Sequence, residues 1–422
     1  MTALTVWRDA RRVGRLDTAP NGDVRFTYDA DVVAEGRPEF AVGLRCPVRA
    51  KPYVGADAAA IFENLLPEGS LREALGQATK HSAGDTVGLL GVVGGECAGA
   101  LQLWPEDAPP PARVEYDDVS AAALDRAFSV AGGLLRQVTG RASLSGTQPK
   151  LVLWRMPPFD GDRPEYRLPR DGAPTTVVVK RATAQFPALL EAEMVGMRLM
   201  AAAGVPTATS ARCLLAPQCH ESVRFDRVVA TDGNVRRLHA EDGCQLTGHL
   251  SRQKYARQGA PTYQALAAVL NRASANPLDD REQLLRWAVA NAAMGNYDAH
   301  AKNVSVVYVD ANIVRLAPAY DVVVTAVYEG LDREFALYFG GTTLPQALTP
   351  ASLTTAAREF GVAPAMAREM AEDVVQRVER ALPEVLHDVA RLGGESGMLE
   401  RLDGVVRRTC VELGTRLGLG VR

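Results

Sequence analysis

The chain has 422 residues, 47% of them apolar, with 47 Lys and Arg against 50 Asp and Glu for a net charge of -3. Such a length predicts two or three packed units, and the near balance of charge leaves no overall cationic field to hold a phosphate backbone, which argues against direct nucleic-acid binding. Six cysteines, at 46, 97, 213, 219, 244 and 410, form no CxxC pair and no zinc-spaced Cys/His ladder, so they read as reduced thiols scattered through the core.

The first residues, MTALTVWRDARRVGRL, put charges where a signal peptide needs an unbroken apolar stretch, and no later apolar run is long enough to span a bilayer. A soluble, cytoplasmic protein is expected. Short alternating segments follow: Leu4 to Trp7, Gly14 to Leu16, then Val24 to Tyr28 after the turn pair Asn21-Gly22, an antiparallel start. Ala58 to Leu66, with Asp57 as a candidate cap, and Leu71 to Lys80 are expected to be helical. The glycine-spaced stretch Gly88 to Gly95 has neither GxGxxG nor GxxxxGK[ST], and is read as tight turns beside a strand. A proline-rich segment, Pro105 to Ala112, marks a linker near 105–115.

Strands are expected at Lys150 to Met156 and Thr175 to Lys180, with a helix from Ala188 to Ala203 ending at Gly204. Strand, helix and strand should then run to Arg227. Beyond about residue 260 the pattern is mainly helical: Tyr263 to Ala273, Asp280 to Met294, Pro350 to Phe360, Pro364 to Leu382 and Met398 to Leu417. Strand-rich first and helix-rich afterwards is an α+β layout with two unequal lobes.

The densest chemistry lies at Asp298-Ala299-His300-Ala301-Lys302-Asn303, followed by Val304 to Val309, a turn, Ile313 to Leu316, and Tyr320-Asp321. Phosphoryl transfer needs a carboxylate facing the attacking hydroxyl and oxygen ligands for the metal that neutralises the phosphates. An Asp with an Asn five residues later, then a second Asp after a hairpin, has the spacing of a kinase catalytic loop and its Mg²⁺-binding acid. Asp298 is then the base or hydroxyl orienter, with Asn303 and Asp321 as metal ligands. His300 and Lys302 are placed to steady phosphate or substrate, although His300 serves equally as a hydrogen-bonded structural residue.

Upstream, Lys180 ends the apolar strand Thr176 to Val179 as the phosphate-binding lysine of kinases does, with Glu193 or Glu191 on the next helix as its partner. The turn-prone run Ser143-Leu144-Ser145-Gly146-Thr147-Gln148-Pro149 precedes strand Lys150 to Trp154 and could turn backbone N–H groups toward phosphate.

Taken in order, these residues resemble the HipA family of bacterial serine/threonine kinases, toxins of HipA–HipB toxin–antitoxin pairs. Five motifs carry the likeness most specifically: the Ser143 to Lys150 run, Arg224-Phe225-Asp226-Arg227, Glu241-Asp242-Gly243-Cys244-Gln245, Asp298 to Asn303, and Tyr320-Asp321. The resemblance implies a two-lobed protein-kinase-like fold divided as an N-terminal subdomain at 1–110, the rest of the strand-rich lobe at 111–228 and a helical lobe at 229–422. It implies ATP with Mg²⁺, and transfer to a protein serine or threonine.

By that resemblance Ser145, Gly146, Thr147, Gln148 and Lys180 contact the nucleotide phosphates, the backbone of Val223 to Phe225 meets the adenine, and Asp226 lies near the ribose. Ser143 or Ser145 is the autophosphorylated loop serine. A HipB-like helix-turn-helix antitoxin is the implied partner, with DNA reached only through it, and an aminoacyl-tRNA synthetase is an implied class of target. Pro149 and Val223 depart from the family's usual acidic residues there, and Gly204-Val205-Pro206 is shorter than the usual motif. The alternatives left open are a nucleotide-binding switch without transfer and a kinase of a small metabolite.

Overall fold

A computed structural model describes residues 3–420 except 129–137, 139, 144–149, 158–164, 183–185 and 311–312. The alternation at the start of the chain builds strands β1 (Leu4–Arg8), β2 (Arg11–Thr18), β3 (Val24–Tyr28), β4 (Tyr53–Val54) and β5 (Leu101–Pro105), in the order β4-β3-β2-β1-β5. The turn residue Asn21 accepts the Asp23 N–H at 3.2 Å through its own side chain, as Asn does in tight turns. Val6, Leu16 and Phe26 on the sheet close over Ile61, Phe62, Leu89 and Leu90 to form one core.

Leu89 and Leu90 belong to a helix, Thr86–Val93, where turns were expected. The Asp85 carboxylate accepts the Gly88 N–H at 2.8 Å and caps the helix. Val87, Leu89, Leu90 and Val93 are all buried. Burial of that apolar run outweighs the weak helical preference of its glycines. The other expected early helices occupy Ala56–Phe62 and Gly69–Thr79; Asp57 sits in the first turn and Gly55 takes the cap position.

Five strands of a second sheet, β6 (Tyr116–Asp118), β7 (Lys150–Arg155), β8 (Tyr166–Pro169), β9 (Val177–Arg181) and β10 (Cys219–Val223), run β10-β9-β7-β8-β6. Leu153, Tyr166, Leu168, Val177 and Val179 form their own core. The helix expected between Gly204 and Arg227 is absent. That stretch holds Ser210–Arg212, Cys219–Val223 and Arg227–Val229, with a turn at Pro217 in which the Cys219 N–H donates to Ala216 and the Cys213 N–H to Cys219.

The helices of the second half occupy Tyr263–Ala273, Pro277–Met294, Pro350–Phe360, Pro364–Arg391 and Ser396–Leu417, preceded by Leu189–Ala202. Pro364–Arg391 runs past its expected end and through Pro383, because the apolar stripe continues at Leu382, Val385 and Val389, all buried. Tyr263 stacks on Phe360 with ring centroids 4.6 Å apart.

The chain divides into two compact units, one of Met1–Arg181, Arg212–Ser251 and Val307–Val314, the other of Ala182–Ala211, Arg252–Val306 and Arg315–Arg422. All six cysteines are buried and free. Among the described residues no helix is long and apolar enough to cross a membrane.

Candidate active site

In the helical unit, the helix Pro277–Met294 stops at Gly295, whose φ of +75° allows the left-handed cap that turns the chain into Asn296. A side chain there would also collide: a Cβ on Gly295 would lie 2.8 Å from the Ala326 Cβ. The turn is then fixed by side chains. Asn296 donates to Asn291 Oδ1 at 2.7 Å and accepts the Asp298 N–H at 3.1 Å, and the His300 N–H donates to the Asp298 carbonyl at 2.8 Å. Held this way, the Asp298 side chain is exposed, with its Oδ1 accepting the Tyr255 hydroxyl at 2.5 Å.

His300 and Lys302 point to the interior instead, both buried. Burial, reinforced by Lys254 and Lys302 against the pull of Asp321, drives His300 well below its ordinary pKa. It is therefore neutral near pH 7. Its ring lies edge-on to Tyr255 with centroids 5.2 Å apart, which gives it a packing role. Lys254 and Tyr255 were not singled out by the sequence pattern; the Lys254 carbonyl accepts the Ala301 N–H at 3.2 Å. Their only sequence signal is a polar stretch far upstream.

Asn303 donates from Nδ2 to the Asp321 carbonyl at 3.1 Å, and its Oδ1 is buried with no hydrogen-bond partner. Buried polar atoms are rarely left this way. Asp321 has φ +58°, a conformation costing a non-glycine residue about 1–2 kcal/mol. Two features hold it there. The Tyr320 hydroxyl donates to the Lys302 carbonyl at 2.6 Å, and the helix Leu189–Ala202 closes on Val322 and Val324, the Val324 N–H donating to the Ala192 carbonyl at 3.3 Å. That approach requires Gly196, where a Cβ would lie 2.5 Å from the Val322 carbonyl oxygen.

An amide oxygen without a partner beside an aspartate suits a hard cation. Mg²⁺ keeps waters and substrate phosphates in its shell and needs one or two protein ligands. Asn303 and Asp321 fit that donor set, although the described residues contain no group of three or more His, Cys, Asp or Glu shaped as a metal cage.

In the strand-rich unit, Lys180 is buried on β9, opposite His220 of β10 and Lys150 of β7. Val223, at the end of β10, and Phe225 are half-buried, and the Arg224 N–H donates to the Thr176 carbonyl at 2.9 Å. Glu191 and Glu193 lie on the helix Leu189–Ala202, both buried. Ser143 is buried too, its hydroxyl donating to the Leu65 carbonyl at 2.5 Å. Ser145, Gly146, Thr147 and Gln148 lie outside the described residues.

Asp226, expected near a ribose, is instead part of a buried ion network. Its carboxylate accepts Arg224 Nε at 2.9 Å, an Arg224 NH2 and the Gly99 N–H at 2.8 and 2.7 Å, and pairs with Arg227 at 2.9 Å. Glu96 anchors the same network through Arg224, Arg227 and Arg237, with charged atoms 2.9–3.0 Å apart. Burial alone would raise the Glu96 carboxyl, but Arg227, Arg237, Arg224 and the Thr175 N–H hold it down to about 2. A carboxylate committed to two guanidiniums has little capacity left for a sugar.

The family model of the HipA-like C-terminal domain matches residues 142–382, and that of the HipA N-terminal domain matches residues 4–104. Y4mE of Sinorhizobium fredii, a protein named provisionally as a kinase, is 34% identical over 420 residues, covering 96% of this chain and 97% of its own. The serine/threonine-protein kinase toxin HipA of Shewanella oneidensis is 24% identical over 349 residues, covering 77% and 76% of the two chains. A solved complex of Shewanella oneidensis HipA with HipB and its operator DNA contains a chain that superposes with a TM-score of 0.81 at 21% identity, covering 99% of this chain and 98% of that one. The fold is thus α+β, two-lobed and kinase-like, and with one family model spanning more than half the sequence and a full-length relative above 30% identity, the chain belongs to the HipA family.

Proposed function

We propose that the protein is an ATP- and Mg²⁺-dependent serine/threonine protein kinase acting as the toxin of a toxin–antitoxin module. The observation that carries this reading is the buried, partnerless Asn303 Oδ1 beside the strained Asp321, in the same unit as an exposed Asp298. Asp298 orients the acceptor hydroxyl and takes its proton; Asn303 and Asp321 supply oxygen ligands. The metal, when bound, neutralises charge on the transferred phosphoryl group. Lys180 serves as the phosphate-binding lysine of the strand-rich unit, the backbone of Val223 to Phe225 as the adenine contact, and the run Ser145 to Gln148 as the phosphate loop. His300, neutral and packed on Tyr255, supports the loop rather than holding phosphate by charge.

The division into 1–110, 111–228 and 229–422 is part of this proposal: the N-terminal family match at 4–104 supports the first piece, while the C-terminal match at 142–382 runs across the boundary at 228. A HipB-like helix-turn-helix antitoxin is the proposed partner, supported by the HipB and operator DNA in the related complex, and DNA is reached through it, in keeping with a net charge of -3. We assign the protein to the cytoplasm, its target to a translation protein of the aminoacyl-tRNA synthetase kind, and autophosphorylation to Ser143 or Ser145. With its hydroxyl donated to Leu65, Ser143 must leave its present position before it can accept phosphate.

Purified protein incubated with ATP, Mg²⁺ and cell extract, followed by phosphosite mapping, tests this reading. New phosphoserine or phosphothreonine on the chain itself and on a translation protein is the expected result. Phosphate on a small metabolite alone, or nucleotide binding with no transfer at all, would replace the protein-kinase assignment.

A further inference from the structure

Glu96 lies in the chain between the helix Thr86–Val93 and β5 and has no exposed surface. Its contacts reach four segments of the strand-rich unit. Through its main chain it grips residues 141–143: the Glu96 N–H donates to the Arg141 carbonyl and the Ser143 N–H to the Glu96 carbonyl, each at 2.8 Å. Through Oε1 it accepts the Thr175 N–H and hydroxyl at 2.9 and 2.8 Å, just before β9 and its Lys180. The same oxygen accepts Arg224 at 3.0 Å and Arg227 at 3.0 Å, the two arginines that bracket Phe225 and Asp226, while Oε2 accepts Arg237 at 2.9 Å.

We propose that Glu96 is a positioning residue for the nucleotide, setting the register of the Lys180 strand against the Val223 to Phe225 segment and the chain at Ser143. This rests on the kinase reading above. Glu96 touches no ligand itself, since its carboxylate is enclosed by protein donors. A buried ion network adds little stability compared with apolar packing of the same volume, yet its hydrogen bonds fix geometry far more narrowly. Thr175 illustrates the point: its hydroxyl lies 2.8 Å from Glu96 and 3.0 Å from Arg224 NH1, so one side chain ties the start of the lysine strand to the arginine in the middle of the Val223 to Phe225 segment.

The test measures dissociation constants of a fluorescent ATP analogue with Mg²⁺ for the full chain, each corrected for the folded fraction read from thermal melts. Glu96→Gln should weaken binding by about tenfold or more, Thr175→Val by a few-fold, and Glu96→Asp should recover part of the loss. A merely structural role would lower the melting temperature while leaving the affinity of the folded fraction unchanged, and that result would overturn the proposal. If Glu96→Gln does not fold, Thr175→Val, which keeps both the backbone contact and the side-chain volume, decides alone by the same criterion. Wild-type protein that fails to bind the analogue overturns the kinase reading together with this one; wild-type binding matched by equal binding in the folded variants overturns only the role of Glu96.

Discussion

Single residues carry charges that the fold has shifted in opposite directions. Glu241 is buried, accepting the Tyr308 hydroxyl at 2.6 Å and the Leu44 N–H at 2.9 Å; burial outweighs both and pushes its carboxyl up from 4.5 to about 7. A carboxyl whose folded pKa is raised binds its proton more tightly in the native state, so its contribution falls as pH rises from about 4.5 to about 7. The buried His239 and His300, driven well below 6.5 by desolvation, act in the other sense and lose stability as pH falls. Comparing wild type with Glu241→Gln isolates the carboxyl. Between pH 5 and pH 8 the variant should gain ~2–3 kcal/mol in stability relative to wild type, as read from urea unfolding. A difference between the two proteins that does not change with pH would contradict this.

Legibility at the residue scale was uneven. The spacing of Asp298, Asn303 and Asp321 drew attention because it is local in sequence, and the structure brings the Asn303 amide within hydrogen-bond reach of the Asp321 carbonyl, as the proposed loop requires. The commitments of Asp226 could not be read, because the Gly99 N–H it accepts lies 127 residues away and Glu96, which holds the same two arginines, lies 128 residues from Arg224 and 131 from Arg227. No periodicity reports a contact over such a distance.

At the scale of elements, the helix Leu189–Ala202 does more than fill a core. Its Gly196 lets the backbone at Val322 approach, next to the strained Asp321. Gly196→Ala would place a methyl group against backbone atoms that cannot swing aside, so we expect a loss of ~1–3 kcal/mol in stability and a fall in phosphoryl-transfer rate. Melting temperature and initial rate measured on the same preparation check both, and an alanine variant equal to wild type in each would show that the approach has slack. Helices with a strong apolar stripe and clear stop signals, Tyr263–Ala273 and Pro350–Phe360 among them, matched their expected limits. The reading failed where tertiary burial overrode local preference, as in the glycine-rich helix Thr86–Val93 and at Pro383 inside a long helix.

For the whole molecule, composition bounded the answer without giving the chemistry. An apolar fraction of 47% supplied the separate cores seen in the strand-rich unit, and the six scattered cysteines became buried free thiols. Order along the chain said more: strands first, helices afterwards, with Lys180 ahead of Asp298, Asn303 and Asp321, is a sequence-level outline of the α+β, two-lobed fold that the chain shares with Shewanella oneidensis HipA. What the chain could not show was which groups the fold would leave unsatisfied, and the buried Asn303 oxygen is the clearest of them.

The most direct test of the kinase machinery is the initial rate of phosphoryl transfer from ATP by folded Asp298→Asn against wild type at saturating Mg²⁺. The asparagine keeps the shape of the loop but accepts no proton, so the rate should fall by about 10²–10⁴-fold with the melting temperature little changed. A folded Asp298→Asn protein that transfers phosphate at the wild-type rate would contradict the account.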